Sequence, residues 1–118
     1  MKHQNGRKKL NLRSAHRKAL LRNQVISLIM YGHLVSTKVR VKEVQKLAEK
    51  MVTIAREGNT FNARRRVHAF LPYKTEAVIK LFQEIAPEYV NRPGGYTRVI
   101  PMGKRVSDTA TLARLEWV

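Results

Sequence analysis

The spacing of apolar residues changes along this chain, and each change marks an element. From Ser14, the residues Leu21, Val25, Leu28 and Ile29 fall three or four apart, which predicts a helix with one apolar face, closed by Gly32. Ser14 is placed as its N-cap. His33 to Thr37 is short and rich in β-formers, so it predicts a first strand, with Thr37 available to cap the next helix. That helix has the clearest stripe: Val44, Leu47, Ala48, Met51 and Ala55, ending at Gly58 and Asn59. A shorter helix is expected over Asn62 to Leu71, burying Val67, Phe70 and Leu71 and ended by Pro72. Another runs from Thr75 to Ala86 with Val78, Leu81, Phe82 and Ile85 inward, Glu76 at its positive start and Pro87 as its stop.

Beyond the turn Pro93-Gly94-Gly95 the period becomes two. Ala113 to Trp117 alternates small or apolar residues with charged ones, as a half-buried strand does, and Tyr96 to Ile100 is its candidate partner across the connector Pro101 to Thr109. The expected fold is α+β: a two-layer α/β domain in the order helix-strand-helix-helix-helix-strand-strand. Its small mixed sheet would be covered by helices on one face, and a basic extended N-terminal arm would precede it. Residues 1–13 are assigned to the arm and residues 14–118 to one globular domain, a size that supports a single core.

Charge then narrows the function. The first forty-two residues hold eleven Lys or Arg and no Asp or Glu, within a chain of net charge +16 and pI near 11.0. So dense a block of one sign repels itself and attracts a polyanion. Arg17 lies on the stripe of Leu21 with Lys18 and Arg22 nearby, so the first helix should begin among phosphates and finish in the core. A membrane span is excluded for Val25 to Tyr31, far shorter than the roughly twenty residues required. A mitochondrial transit peptide is the other reading of a basic start. Against it, residues 14 to 31 supply core surface that so small a domain needs. A cytoplasmic protein of bacterial type is expected.

Catalytic chemistry has little to build on. There is no cysteine, the one aspartate is Asp108, and His3, His16, His33 and His68 stand too far apart for a local metal pair. Asn91-Arg92-Pro93-Gly94-Gly95-Tyr96 lacks the Lys and Ser or Thr of a nucleotide-binding loop. No metal, cofactor or small-molecule substrate is therefore expected.

Nucleic-acid binding has better tools. Arg forks and Lys point charges occur together in Arg7-Lys8-Lys9 and Arg17-Lys18, and Ser14 opens a helix whose amides can hold phosphate. His16 either donates to a phosphate or packs at the helix start. Phe61, Phe70 and Phe82 are assigned to the core, and Tyr31, Tyr73 and Tyr89 to segment ends. Only Tyr96, between Arg92 and Arg98, has an aromatic placed among basic residues, either to stack on a base or to pack at the sheet margin. Lys42, Lys46 and Lys50 read as a solvated ridge. Arg64, Arg65 and Arg66 fan through about 200° of helix, so at least one points outward.

These residues also carry a resemblance. Met1-Lys2-His3, Gly6-Arg7-Lys8, Ser14 and the run His16 to Asn23, then Lys42-Glu43, Ala63-Arg64-Arg65, Leu81-Phe82, Glu84 to Pro87 and Gly94 to Arg98 occur here in order. Over essentially the whole chain this resembles the bacterial large-subunit ribosomal protein L17 family. Local departures fall at the glycine near the start, at Ala15, at Val106-Ser107 and at Trp117.

The resemblance implies a structural, non-enzymatic component of the large subunit that binds its ribosomal RNA near the nascent-peptide exit, beside neighbouring ribosomal proteins. It implies RNA contacts from Lys2, His3, Arg7, Lys8, Lys9, Arg13, Ser14, His16, Arg17, Lys18 and Arg22. Arg64, Arg65, Arg92, Tyr96, Arg98, Lys104 and Arg105 are further candidates. On composition alone the alternative is a DNA-compacting, nucleoid-type protein; an enzyme acting on RNA would need an acid and a base that the sequence does not offer.

Overall fold

The computed structural model describes residues 13–72 and 74–118. Helix α1 (Ser14–Tyr31) is followed by strand β1 (His33–Thr37), helix α2 (Lys38–Ala55), helix α3 (Phe61–Phe70) and helix α4 (Thr75–Lys80). Helix α4 widens into a π turn (Leu81–Ile85) and tightens into a 3-10 turn (Ala86–Tyr89) before strands β2 (Thr97–Lys104) and β3 (Thr111–Trp117). The architecture is α+β, with helices on one face of a three-stranded sheet ordered β1-β3-β2.

Pairing in the sheet is antiparallel throughout, which corrects the expected mixed sheet: β3 lies between two strands that both run against it. Alternation along a strand reports which face is buried, not the direction of its neighbours. Leu34, Leu115 and Val99 stand in one row facing the helices, while His33, Glu116 and Arg98 form the adjacent row on the open face. Strand β2 runs past Ile100, taking in part of the expected connector. Pro101 is tolerated because β2 is an edge strand, and a bulge at Met102 resets the register before Gly103.

The core is built on α2, which touches all three strands as well as α1 and α3. Val41, Val44, Ala48, Met51, Val52 and Ala55 are buried along it, and Leu21, Val25, Leu28 and Ile29 from α1 meet them. Polar ties complete the closure: Trp117 Nε1 donates to the Leu28 carbonyl at 3.3 Å, Lys80 Nζ to the Met30 carbonyl at 2.9 Å, and Tyr89 OH to the Val118 carbonyl at 2.9 Å. Burial, more than the nearby Glu88, raises the Tyr89 hydroxyl above its ordinary pKa, so it stays a donor.

Several local expectations shift. The cap of α1 is Arg13, in an extended conformation with no side-chain bond to the helix, and Ser14 is already helical. Thr37 does hold the cap position of α2, yet its hydroxyl makes no capping bond; Thr60 makes one for α3, accepting from the Ala63 amide at 3.2 Å. Pro87 does not stop the fourth helix. It lacks the amide an α-helix would aim at Gln83, so the backbone widens, the Ala86 amide reaches the Leu81 carbonyl, and a 3-10 turn follows. Phe61 is not core at all: it is 71% exposed, while Ala63, Val67 and Leu71 fill the space beneath α3 and Phe70 is half-buried.

Candidate nucleic-acid interface

Helix α1 divides along its axis. Nothing from Arg13 to Leu20 is buried, and Arg13, Ser14, His16 and Lys18 are exposed with Arg17 half-buried; from Leu21 onward the helix is anchored. The first turn holds no acidic residue and its amides receive no side-chain cap. Amides with no side-chain partner among the described residues and the positive end of the dipole thus sit among four cationic or ionisable side chains, an arrangement that favours an anion. Local sequence explains it: residues 13–20 offer only Ala15, Ala19 and Leu20 as apolar positions.

One turn further, Arg22 enters an open groove of about 430 Å³ between α1, α2 and α3. Met51, Ile54, Ala69 and Phe70 form its apolar lining, and Lys50 and Arg66 are its other cations. The Arg22 guanidinium lies 5.7 Å from the centre of the Phe70 ring, and its Nε is buried with no acceptor among the described residues. A buried donor left unpaired costs about 1–3 kcal/mol, which an incoming phosphate oxygen would offset. Glu57 reaches Arg66 at 3.7 Å, but both side chains are more than half exposed and the pair is weak.

Sequence reasoning misses Lys50 and Arg66 as partners of Arg22. By spacing alone Lys50 belongs to a solvated ridge, and Arg66 is one of three fanned arginines. The available signal is that Arg66 and Phe70 share a helix face four residues apart.

The other expected contacts divide. Arg64, Arg65 and Lys104 are exposed with no carboxylate partner among the described residues. Arg98 instead donates to Glu116 across the strands at 2.8 Å, and Arg114 donates to the same carboxylate at 3.1 Å. Those bonds, Arg98 first, hold the Glu116 carboxyl below its ordinary range. Arg105 grips Asp108 with both Nε and a terminal nitrogen and lowers that carboxyl to about 2. Arg92 lies 5.6 Å from the Tyr89 ring centre.

Tyr96 is corrected most clearly. It is 1% exposed, its ring is 5.3 Å from that of Tyr89, and its hydroxyl meets Thr53 and Arg56, each at 3.3 Å. No ring face is left for a base. The expected contacts Lys2, His3, Arg7, Lys8 and Lys9, and Tyr73 at its segment end, lie outside the described residues.

Among the described residues no cluster of His, Asp or Glu could hold a metal ion, and no helix is long and apolar enough to cross a membrane. Comparison with known proteins gives a consistent answer. A family model described as Ribosomal protein L17 matches residues 20–118. A large ribosomal subunit protein bL17 from Desulforudis audaxviator is 48% identical over 113 residues, 96% of this chain and 99% of the relative. The proteins of the same name from Helicobacter acinonychis and Fusobacterium nucleatum are 46% and 45% identical, each over all of both chains.

Proposed function

The chain belongs to the ribosomal protein L17 family, and from that premise we propose that it is a structural constituent of the large ribosomal subunit of bacterial type. In this reading residues 1–13 form a basic arm that, with the start of α1, neutralises and fills folded large-subunit ribosomal RNA near the nascent-peptide exit. Residues 14–118 form the domain that holds the arm in place, beside neighbouring ribosomal proteins. Its role is binding and scaffolding in the bacterial cytoplasm, with no reaction to catalyse.

The observation that carries it is the division of α1. A helix whose second half is locked into the core and whose first two turns are unburied, cationic and without a side-chain cap among the described residues is a rigid mount for phosphate contacts. The groove of Arg22, Lys50 and Arg66 continues that cationic surface onto the domain.

Two measurements test the reading. Eight Lys and Arg precede residue 23. If each displaces one counterion, the logarithm of affinity for large-subunit ribosomal RNA falls against the logarithm of salt with a slope of about −6. In lysate the chain should sediment with the large subunit and be released by RNase. A slope near zero, tighter binding to duplex DNA at equal salt, or sedimentation as a free small protein would overturn it.

A further inference from the structure

The outer face of α3 sets an exposed aromatic ring among basic side chains in a single recess: Phe61, Arg64, Arg65 and His68 line it together. At 100° per residue these four span one arc of the helix, while the inward-facing Ala63, Val67 and Phe70 occupy the opposite arc. Phe61 is therefore held away from the core by the register of the helix itself. Thr60 fixes that register by capping the Ala63 amide, and Arg64 Nε donates back to the Thr60 carbonyl at 3.3 Å, on the same rim as Phe61.

We propose that Phe61 is a stacking platform for an unpaired RNA base, with Arg64, Arg65 and His68 holding the phosphates that flank it; the proposal rests on the RNA-binding role above. An exposed phenyl ring forfeits the gain of burial, and a partner can restore it. The rim selects the partner. Every other side chain lining the recess is basic, so an anionic ligand with a flat apolar face fits where a neutral or acidic-patched apolar protein surface would leave cations unpaired. From residue 61 to 68 the helix rises about 10 Å, room for one splayed nucleotide and its two phosphates. Base-paired RNA shows side chains no ring face, so the ligand is a bulged or looped nucleotide.

The test uses the full chain and its Phe61→Ala, Phe61→Trp and Phe61→Leu variants, titrated at fixed salt with protein-free large-subunit ribosomal RNA and with a fully paired RNA duplex. Phe61→Ala should weaken binding to the ribosomal RNA about tenfold, within the range found for removing a stacked aromatic. Phe61→Trp should restore it and Phe61→Leu should not, because stacking needs a ring and not merely apolar volume. The salt slope should stay unchanged, since no charge is removed, and all four proteins should bind the duplex alike.

Melting temperatures separate binding from folding, because the side chain is outside the core. Wild-type affinity for Phe61→Ala, full rescue by Phe61→Leu, or crosslinks from Phe61 to another protein in assembled subunits would overturn the stacking role alone. Failure of the wild-type chain to bind the ribosomal RNA would overturn the broader reading as well.

Discussion

Helix α1 should separate into two halves that fail in different assays. Leu28 is fully buried at the seam between α1 and β3, where its carbonyl also accepts from Trp117. Leu28→Ala deletes its isobutyl packing at a site pinned by sheet and helix, where collapse is limited, so the cost should be about 3 kcal/mol. For a domain near 100 residues that lowers the melting temperature by roughly 10–20 °C. Lys18→Ala lies three residues before the anchored stretch, on exposed surface, and alanine is at least as good a helix former as lysine. Stability should hold, while the salt slope for ribosomal RNA becomes shallower by about 0.7 as one phosphate contact is lost.

Thermal melts followed by circular dichroism, and RNA titrations at four or five salt concentrations, read both quantities on both variants. Ile29→Val, expected to cost about 1 kcal/mol, covers the case in which Leu28→Ala unfolds. Two results would refute the reasoning: a Lys18→Ala variant that melts several degrees early with an unchanged slope, or a Leu28→Ala variant that melts normally.

Tyr96→Phe should cost roughly 1 kcal/mol in a urea titration, because it removes the hydroxyl that joins Thr53 and Arg56. RNA affinity should be unaffected, and a loss of affinity without a loss of stability would show that the hydroxyl reaches RNA after all. The carboxyls of Asp108 and Glu116 are held below their ordinary values, Asp108 to about 2, chiefly by bonds from Arg105 and Arg98. Their contribution to stability is therefore complete above the unfolded values near pH 4 and is lost as pH falls through the folded ones. Urea midpoints should be flat from pH 7 to 5 and decline below about pH 4, and Asp108→Asn with Glu116→Gln should flatten that decline.

Elements whose periodicity reports burial are legible in the sequence. The strand His33–Thr37 can be read there from its β-forming residues, and the stripe of α2 because the three-four spacing is set by the same backbone geometry that packs it. Features that depend on tertiary partners are not. Phe61 reads as inward by residue type, yet a ten-residue helix buries one narrow stripe, and Ala63, Val67 and Leu71 already fill it. Tyr96 looks available because Arg92 and Arg98 flank it in sequence, whereas across the sheet its ring meets Tyr89 and its hydroxyl meets α2. The groove joins residues from positions 22, 50 and 66, a contact that no local window contains.

The same distinction governs how the charge of the chain is to be counted. A cation bonded to a carboxylate, as Arg98 is to Glu116 or Arg105 to Asp108, must surrender that bond before it can take a phosphate, so its net gain on binding RNA is small. A cation over a ring, as Arg22 is over Phe70 and Arg92 near Tyr89, keeps its charge and has its orientation fixed, which lowers the entropy lost when a phosphate arrives. A cation with neither partner, as Lys18, Arg64 and Arg65 are among the described residues, contributes its full repulsion to the free protein and its full attraction to a polyanion. The net charge of +16 thus overstates what some arginines offer and understates others. Binding energy should concentrate in α1, the groove and α3, where among the described residues the charges meet no acid or, as Arg66 with Glu57, only a weakly held one, and not in the strand hairpin, where acids already meet them.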